Sequence, residues 1–147
     1  MAARGRRRSA LTFPLLAAFV CCITASVTTF AADSYELSLS HPTIQQLIGA
    51  DIVTPEKQKF VHISVTQVSN PQRIPLSFDV HFRPAQGEKI YLGSFSLYPP
   101  DNPGKFIVAT RGKLENGGTV SVTLVPLQRV NDEDIRVHLE RISFRLR

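Results

Sequence analysis

Four histidines, His41, His62, His81 and His138, are the residues here whose type most readily supports metal or acid–base chemistry. No two of them stand three or four positions apart, and no His-Glu-x-x-His, Cys-x-x-Cys or calcium-loop pattern occurs. His62 and His81 fall on the polar sides of two alternating runs, so a two-histidine site across a sheet is geometrically conceivable if those runs are neighbours. A pair of solvent-facing histidines is the simpler reading. Blue-copper chemistry needs a thiolate beside two imidazoles, usually with a thioether. Cys21 and Cys22 both lie in an apolar N-terminal run and Met1 is the sole methionine, which excludes that class. Serines are numerous without a Gly-x-Ser-x-Gly elbow, and Gly93-Ser94-Phe95 sits inside a strand pattern, where glycine marks a bulge or a close backbone approach. Asp132-Glu133-Asp134 reads as a solvated acidic turn, and Asn116-Gly117-Gly118 as a turn before a strand. No set of acid, base, nucleophile and ligand emerges. The expectation is a protein that is not an enzyme and needs no cofactor.

The remaining chemistry is that of contact. The aromatic residues Phe60, Phe78, Phe82, Tyr91, Phe95, Tyr98, Phe106 and Phe144 mostly share the phase of the apolar positions and are expected in a core. Tyr98 adjoins the loop Pro99-Pro100-Asp101-Asn102-Pro103-Gly104. With Phe106 it is a candidate for contact with a partner; packing beneath the loop is the competing reading.

The elements that would position these residues are strands. Val61, Ile63 and Val65 alternate with His62, Ser64 and Thr66; Leu76, Phe78, Val80 and Phe82 alternate with Ser77, Asp79, His81 and Arg83. Phe95 and Leu97 share a side of the run from Tyr91, and Val120, Val122 and Leu124 share another. The last run, Ile135 to Leu146, changes parity near Glu140-Arg141, as a β-bulge would make it. Turn-forming clusters at Asn70-Pro71, Pro84 to Gly87, Pro99 to Gly104 and Asn116 to Gly118 separate the runs. Thr43 to Gly49 fits a short helical turn or a strand. The pattern predicts an all-β fold, an antiparallel β-sandwich or small barrel, with residues 60–147 as its core and 33–59 as a lead-in carrying an edge strand.

Residues 1–32 read differently. Arg4, Arg6, Arg7 and Arg8 precede the uncharged stretch Leu11 to Phe30, and small residues follow. That order is an export signal, with cleavage at Ala31 or Ala32, or an uncleaved anchor helix over residues 11–30. Of seventeen basic and twelve acidic residues, four basic ones and no acidic one lie in 1–32, so the net charge falls from +5 to +1 without this segment. A nearly neutral domain has little attraction for phosphate backbones, and nucleic acid is not an expected partner. A membrane is expected only through the N-terminal segment. The expected location is periplasmic or secreted, and with no cysteine past the leader the domain relies on its hydrophobic core.

Ser77-Phe78-Asp79-Val80-His81-Phe82, then Leu92-Gly93-Ser94-Phe95, then Ser121-Val122-Thr123-Leu124-Val125-Pro126, then the Ile135–Phe144 run form an ordered set of motifs. Over about residues 60–146 this succession resembles the C-terminal β-sandwich domain of tyrosinases and plant polyphenol oxidases. In that family copper is held by histidines of a separate helical domain, and the sandwich covers its mouth. The resemblance implies a free-standing cover domain that shields a partner, such as a type-3 copper oxidase or another exported protein. It implies no oxidase activity, because the helical domain is absent from this sequence. The segment Lys105 to Gly118 departs from the family, where a helix often lies; Gly112, Gly117 and Gly118 disfavour one here. Tyr98 is the candidate blocking residue. The alternative is a small-ligand or carbohydrate-binding module that uses Tyr98 and Tyr91.

Overall fold

The computed structural model describes residues 34–49, 60–114, 117–130 and 134–145. The expected signal or anchor with its Ala31 and Ala32 cleavage positions lies outside these residues, as do Asn116, Asp132, Glu133 and Leu146. Nine strands and no helix occur among the described residues: β1 (Ser34–Ser38), β2 (Thr43–Ile48), β3 (Phe60–Ser69), β4 (Leu76–Pro84), β5 (Ile90–Ser96), β6 (Gly104–Ala109), β7 (Gly118–Pro126), β8 (Arg136–Glu140) and β9 (Ser143–Arg145).

The strands form two antiparallel sheets. One runs β1-β8-β3-β6, with β9 also on β3; the other runs β2-β7-β4-β5. β1 and β2 are therefore outer strands of opposite sheets, and Thr43–Ile48 is extended, not helical. The chain changes sheet at every connection except the β4–β5 hairpin and the β8–β9 junction. Each sheet turns one side inward because alternate side chains are apolar. On β4, Leu76, Phe78, Val80 and Phe82 are all fully buried, each worth about 1.5–3 kcal/mol of transfer free energy. They meet Val61, Ile63, Val65, Val120, Val122, Leu124, Val137 and Leu139 in one cluster, giving a sandwich-like core.

Three irregularities tune this alternation. Leu92 is an extra residue on β5 between the Val80–Gly93 and His81–Tyr91 pairs, so it and Gly93 occupy the bulge region the Gly93-Ser94 spacing predicts. At Gly93 an added Cβ would lie 3.1 Å from Val108 Cγ1 on the facing sheet. The parity change near Glu140 is also present: β8 ends at Glu140, β9 begins at Ser143, and Ile142 turns inward. A second slip answers it on β3, where the register shifts between Val65 and Gln67. The two extra residues cancel, so Phe60–His62 on β9 and Gln67–Ser69 on β8 return to a common register. Gln46 closes the break. Its side chain crosses from the other sheet, donates through Nε2 to the Ile142 carbonyl at 2.9 Å and accepts the Ile142 N–H at 2.8 Å.

β6 is the strand the periodicity did not reveal. Phe106-Ile107-Val108-Ala109 is apolar throughout, although Ile107 faces solvent with 60% exposure and only Phe106 and Val108 turn inward.

Candidate binding surfaces

The antiparallel pairings bring the β1–β2, β3–β4, β5–β6 and β7–β8 connections to one end of the fold. The β5–β6 loop there is fastened from below. Leu97, buried, donates its N–H to the Leu76 carbonyl at 3.4 Å, and Asn102 N–H reaches the Pro99 carbonyl at 3.1 Å. Asn70 ties this loop to the β3–β4 turn: its Nδ2 donates to the carbonyls of Ile74 (2.8 Å) and Pro100 (3.0 Å), and its Oδ1 accepts the Ile74 N–H (3.0 Å). Asn70 is 5% exposed, so these bonds are shielded from water. Arg73 in the same turn has φ 50°, a left-handed conformation costing about 1 kcal/mol for a side-chain-bearing residue. Its N–H bonds the Asn70 carbonyl at 2.9 Å, and its guanidinium lies 3.1 Å from Asp101. That exposed ion pair contributes at most about 1 kcal/mol; the buried amide is the stronger tie.

On this fastened loop Tyr98 is 96% exposed, beside a cis Tyr98–Pro99 peptide. Leu127, 60% exposed in the β7–β8 connection, belongs to the same end, its N–H bonded to the Pro75 carbonyl at 2.9 Å. Phe106 has a different setting. It is half-buried and stacks on Phe95 at 4.3 Å, which stacks on Phe78 at 4.8 Å, so three rings bridge β6 of one sheet to β5 and β4 of the other. No ring contact joins Phe106 to Tyr98 among the described residues.

The histidines do not converge. His62 lies on β3 and His81 on β4, which belong to different sheets, so the conceived two-histidine site across one sheet is not formed. Alternation told which side of a strand each faces, not which sheet the strand joins. His62 stands opposite Ile107 and Ser143, and His81 opposite Tyr91 and Ser121. No group of three or more His, Cys, Asp or Glu suited to a metal occurs among the described residues. His81 meets the Tyr91 ring edge-on at 5.3 Å. Burial, then the Lys89 charge, lowers its pKa, against a raising effect of Asp79. Its Nδ1 is buried without a hydrogen-bond partner among the described residues.

The outer side of the second sheet carries a polar hollow of about 160 Å³ lined by Thr43, Gln45, Arg83, Lys89, Thr119 and Ser121. Register explains this grouping. Gln45 pairs with Ser121 and Ser121 with His81, while Thr119 pairs with Arg83, so these residues form adjacent rows across β2, β7 and β4. In the sequence, Arg83 is marked only as one of an alternating polar set and Ser121 only as the first residue of the Ser121–Pro126 motif. Asn70 stands out there only as half of an Asn-Pro turn signal, and Gln46 only as an inward Gln on an otherwise apolar phase. Ser94 is exposed on β5, and Asp134 is an exposed turn residue.

No family model and no curated protein matches the chain. Among solved structures it is similar to a recombinantly expressed latent aurone synthase, a polyphenol oxidase, with 15% identity and a TM-score of 0.44 over 76% of this chain and 25% of that one. The chain thus spans about a quarter of that enzyme's length.

Proposed function

We propose that this protein is an exported, non-catalytic β-sandwich that binds and shields a partner protein through its loop end. The cover domains of tyrosinases and polyphenol oxidases, which its strand motifs resemble, are an analogy for such a role. The observation that carries this reading is Tyr98, a 96% exposed aromatic on a loop that Asn70 and the Leu97 backbone hold in place. An aromatic anchor on a backbone fixed in advance spares the cost of ordering the loop on binding, and such residues dominate interface energetics. Shielding requires no reactive group on the shield. It requires a stiff projection of the right shape.

Co-expression of the full chain with a type-3 copper oxidase lacking its own cover domain tests the proposal. The expected result is a co-purifying complex with reduced diphenol oxidation, both reversed by Tyr98→Ala. No complex together with unchanged activity would overturn it. A second reading, a carbohydrate or small-ligand module, draws on a separate observation: Tyr91 is 50% exposed beside His81 on the outer side of the second sheet. A glycan panel separates the two readings, because shielding through Tyr98 predicts no glycan binding that depends on it.

A further inference from the structure

We propose that the hollow on the outer side of the β2-β7-β4-β5 sheet binds the anionic group of an acidic saccharide, a carboxylate or sulfate carried on a sugar. The inference is independent of the loop end and gives the second reading above a ligand class. Its basis is the composition of the lining. Arg83 and Lys89 supply two positive charges, Thr43, Thr119 and Ser121 three hydroxyls, and Gln45 an amide. Among the described residues no carboxylate lines the hollow; Asp79 and Glu88, the nearest acids along β4 and the hairpin, are absent from it.

Cations on a protein surface usually answer to neighbouring acids. Among the described residues, neither Arg83 nor Lys89 has an ion-pair partner. The charge is also local, since residues 33–147 carry a net +1, so the hollow is not one patch of a generally basic surface. A guanidinium presents a planar fork that fits a carboxylate or sulfate with two parallel hydrogen bonds, and the ammonium adds a point charge.

The other groups favour a sugar over a bare ion. Hydroxyls and an amide can both donate and accept, which suits the hydroxyls of a sugar ring. Ser121 is 8% exposed and sits on β7, paired on both sides, so its backbone position is fixed by the sheet. Along the same row Tyr91 offers a half-exposed ring beside His81. A second hollow, of about 340 Å³, shares Arg83 and Thr119 and adds the apolar surfaces of Leu47, Pro84 and Ala85. A ligand of more than one ring therefore has a track that turns from polar to apolar across Arg83. All of the polar hollow's lining groups except Lys89, which stands just before β5, are carried on strands, so their backbone positions are set before the ligand arrives.

Calorimetric titration at pH 7 and fixed ionic strength tests the site, using the full chain produced in an exporting host. The probes are a uronic-acid oligosaccharide, a sulfated oligosaccharide, a neutral oligosaccharide of the same length and sodium sulfate. At least one acidic oligomer is expected to bind tenfold or more tightly than the neutral one. Arg83→Gln and Lys89→Gln, both at exposed positions, should each weaken that binding about tenfold with unchanged circular dichroism, whereas Tyr98→Ala should leave it unchanged. Which acidic oligomer binds identifies carboxylate or sulfate as the source. Failure of both acidic oligomers, equal binding of the neutral one, or sulfate alone binding as tightly (an adventitious ion only) would each overturn the proposal. Loss of binding in Tyr98→Ala with retention in Arg83→Gln would place any ligand at the loop end instead.

Discussion

Removing the Asn70 side chain is the sharpest test of how the loop end is held. In Asn70→Ala, three hydrogen bonds of 2.8–3.0 Å disappear together. Their partners do not all regain water. Ile74 is 7% exposed, so its N–H and carbonyl are left largely unsatisfied, while the Pro100 carbonyl, on a half-buried residue, rehydrates more easily. An orphaned buried donor or acceptor costs about 1–3 kcal/mol, and a water entering the vacated space recovers part of it. The expected loss is about 3 kcal/mol, or roughly 10 °C in Tm for a domain of this size. Asn70→Asp should do no better, because it removes both donors and sets a carboxylate against two carbonyl oxygens. Urea unfolding at pH 7 measures the change through the midpoint at constant slope. Hydrogen exchange should quicken at the Ile74 and Asn102 amides before other parts of the fold. A loss below about 1 kcal/mol in Asn70→Ala, or an Asp variant as stable as the parent, would refute the assignment of Asn70 as the tie between the two loops.

Gly93→Ala should destabilise by about 1–2 kcal/mol, since its Cβ meets Val108 Cγ1 at 3.1 Å and the facing sheet must yield, read by the same urea titration. Gly118→Ala should cost more, about 3 kcal/mol or above, because φ is +156° and the new Cβ collides with the Arg83 carbonyl oxygen. Phe95→Ala removes the middle ring of the stack joining the sheets and should cost about 2–4 kcal/mol in the same assay. Stability should also rise with pH around His81. Its folded pKa is lowered from 6.5, so the unfolded chain binds the proton more readily, and the contribution is full above 6.5 and lost as pH falls through the folded value. Urea midpoints between pH 7.5 and 5 should therefore drop less steeply in His81→Gln.

Much of the architecture was legible because alternation and burial coincide on β3, β4 and β7. Val61, Ile63, Val65, Val120, Val122 and Leu124 all face inward as their spacing predicts. The parity change after Leu139 was also visible, since Ile142 and Phe144 fall out of phase with Val137. Its counterpart at Thr66 was not, because Val68 alone carries the new phase before the strand ends. β6 was hidden by Ile107, an apolar residue on a solvent-facing position. The site was the least legible part. Arg83, Thr119, Ser121 and Gln45 become neighbours only through strand pairings separated by up to about eighty residues of chain, and periodicity does not say which strands pair. Tyr98 and Phe106 lie eight positions apart, but one is bound to a loop tip and the other to a strand's inner side.

The amide of Gln46 has a further consequence for how a single arrangement is chosen. A terminal strand displaced by two residues along β3 would still present alternate apolar groups to the interior, and hydrophobic burial alone discriminates poorly between such alignments. Only one of them sets the Ile142 peptide, N–H and carbonyl both, against a carboxamide arriving from the opposite layer. That polar clasp penalises every displaced alignment with an unanswered buried amide. It closes over a separation of 96 positions and between opposite layers, so the clasp can exist only where both layers face each other.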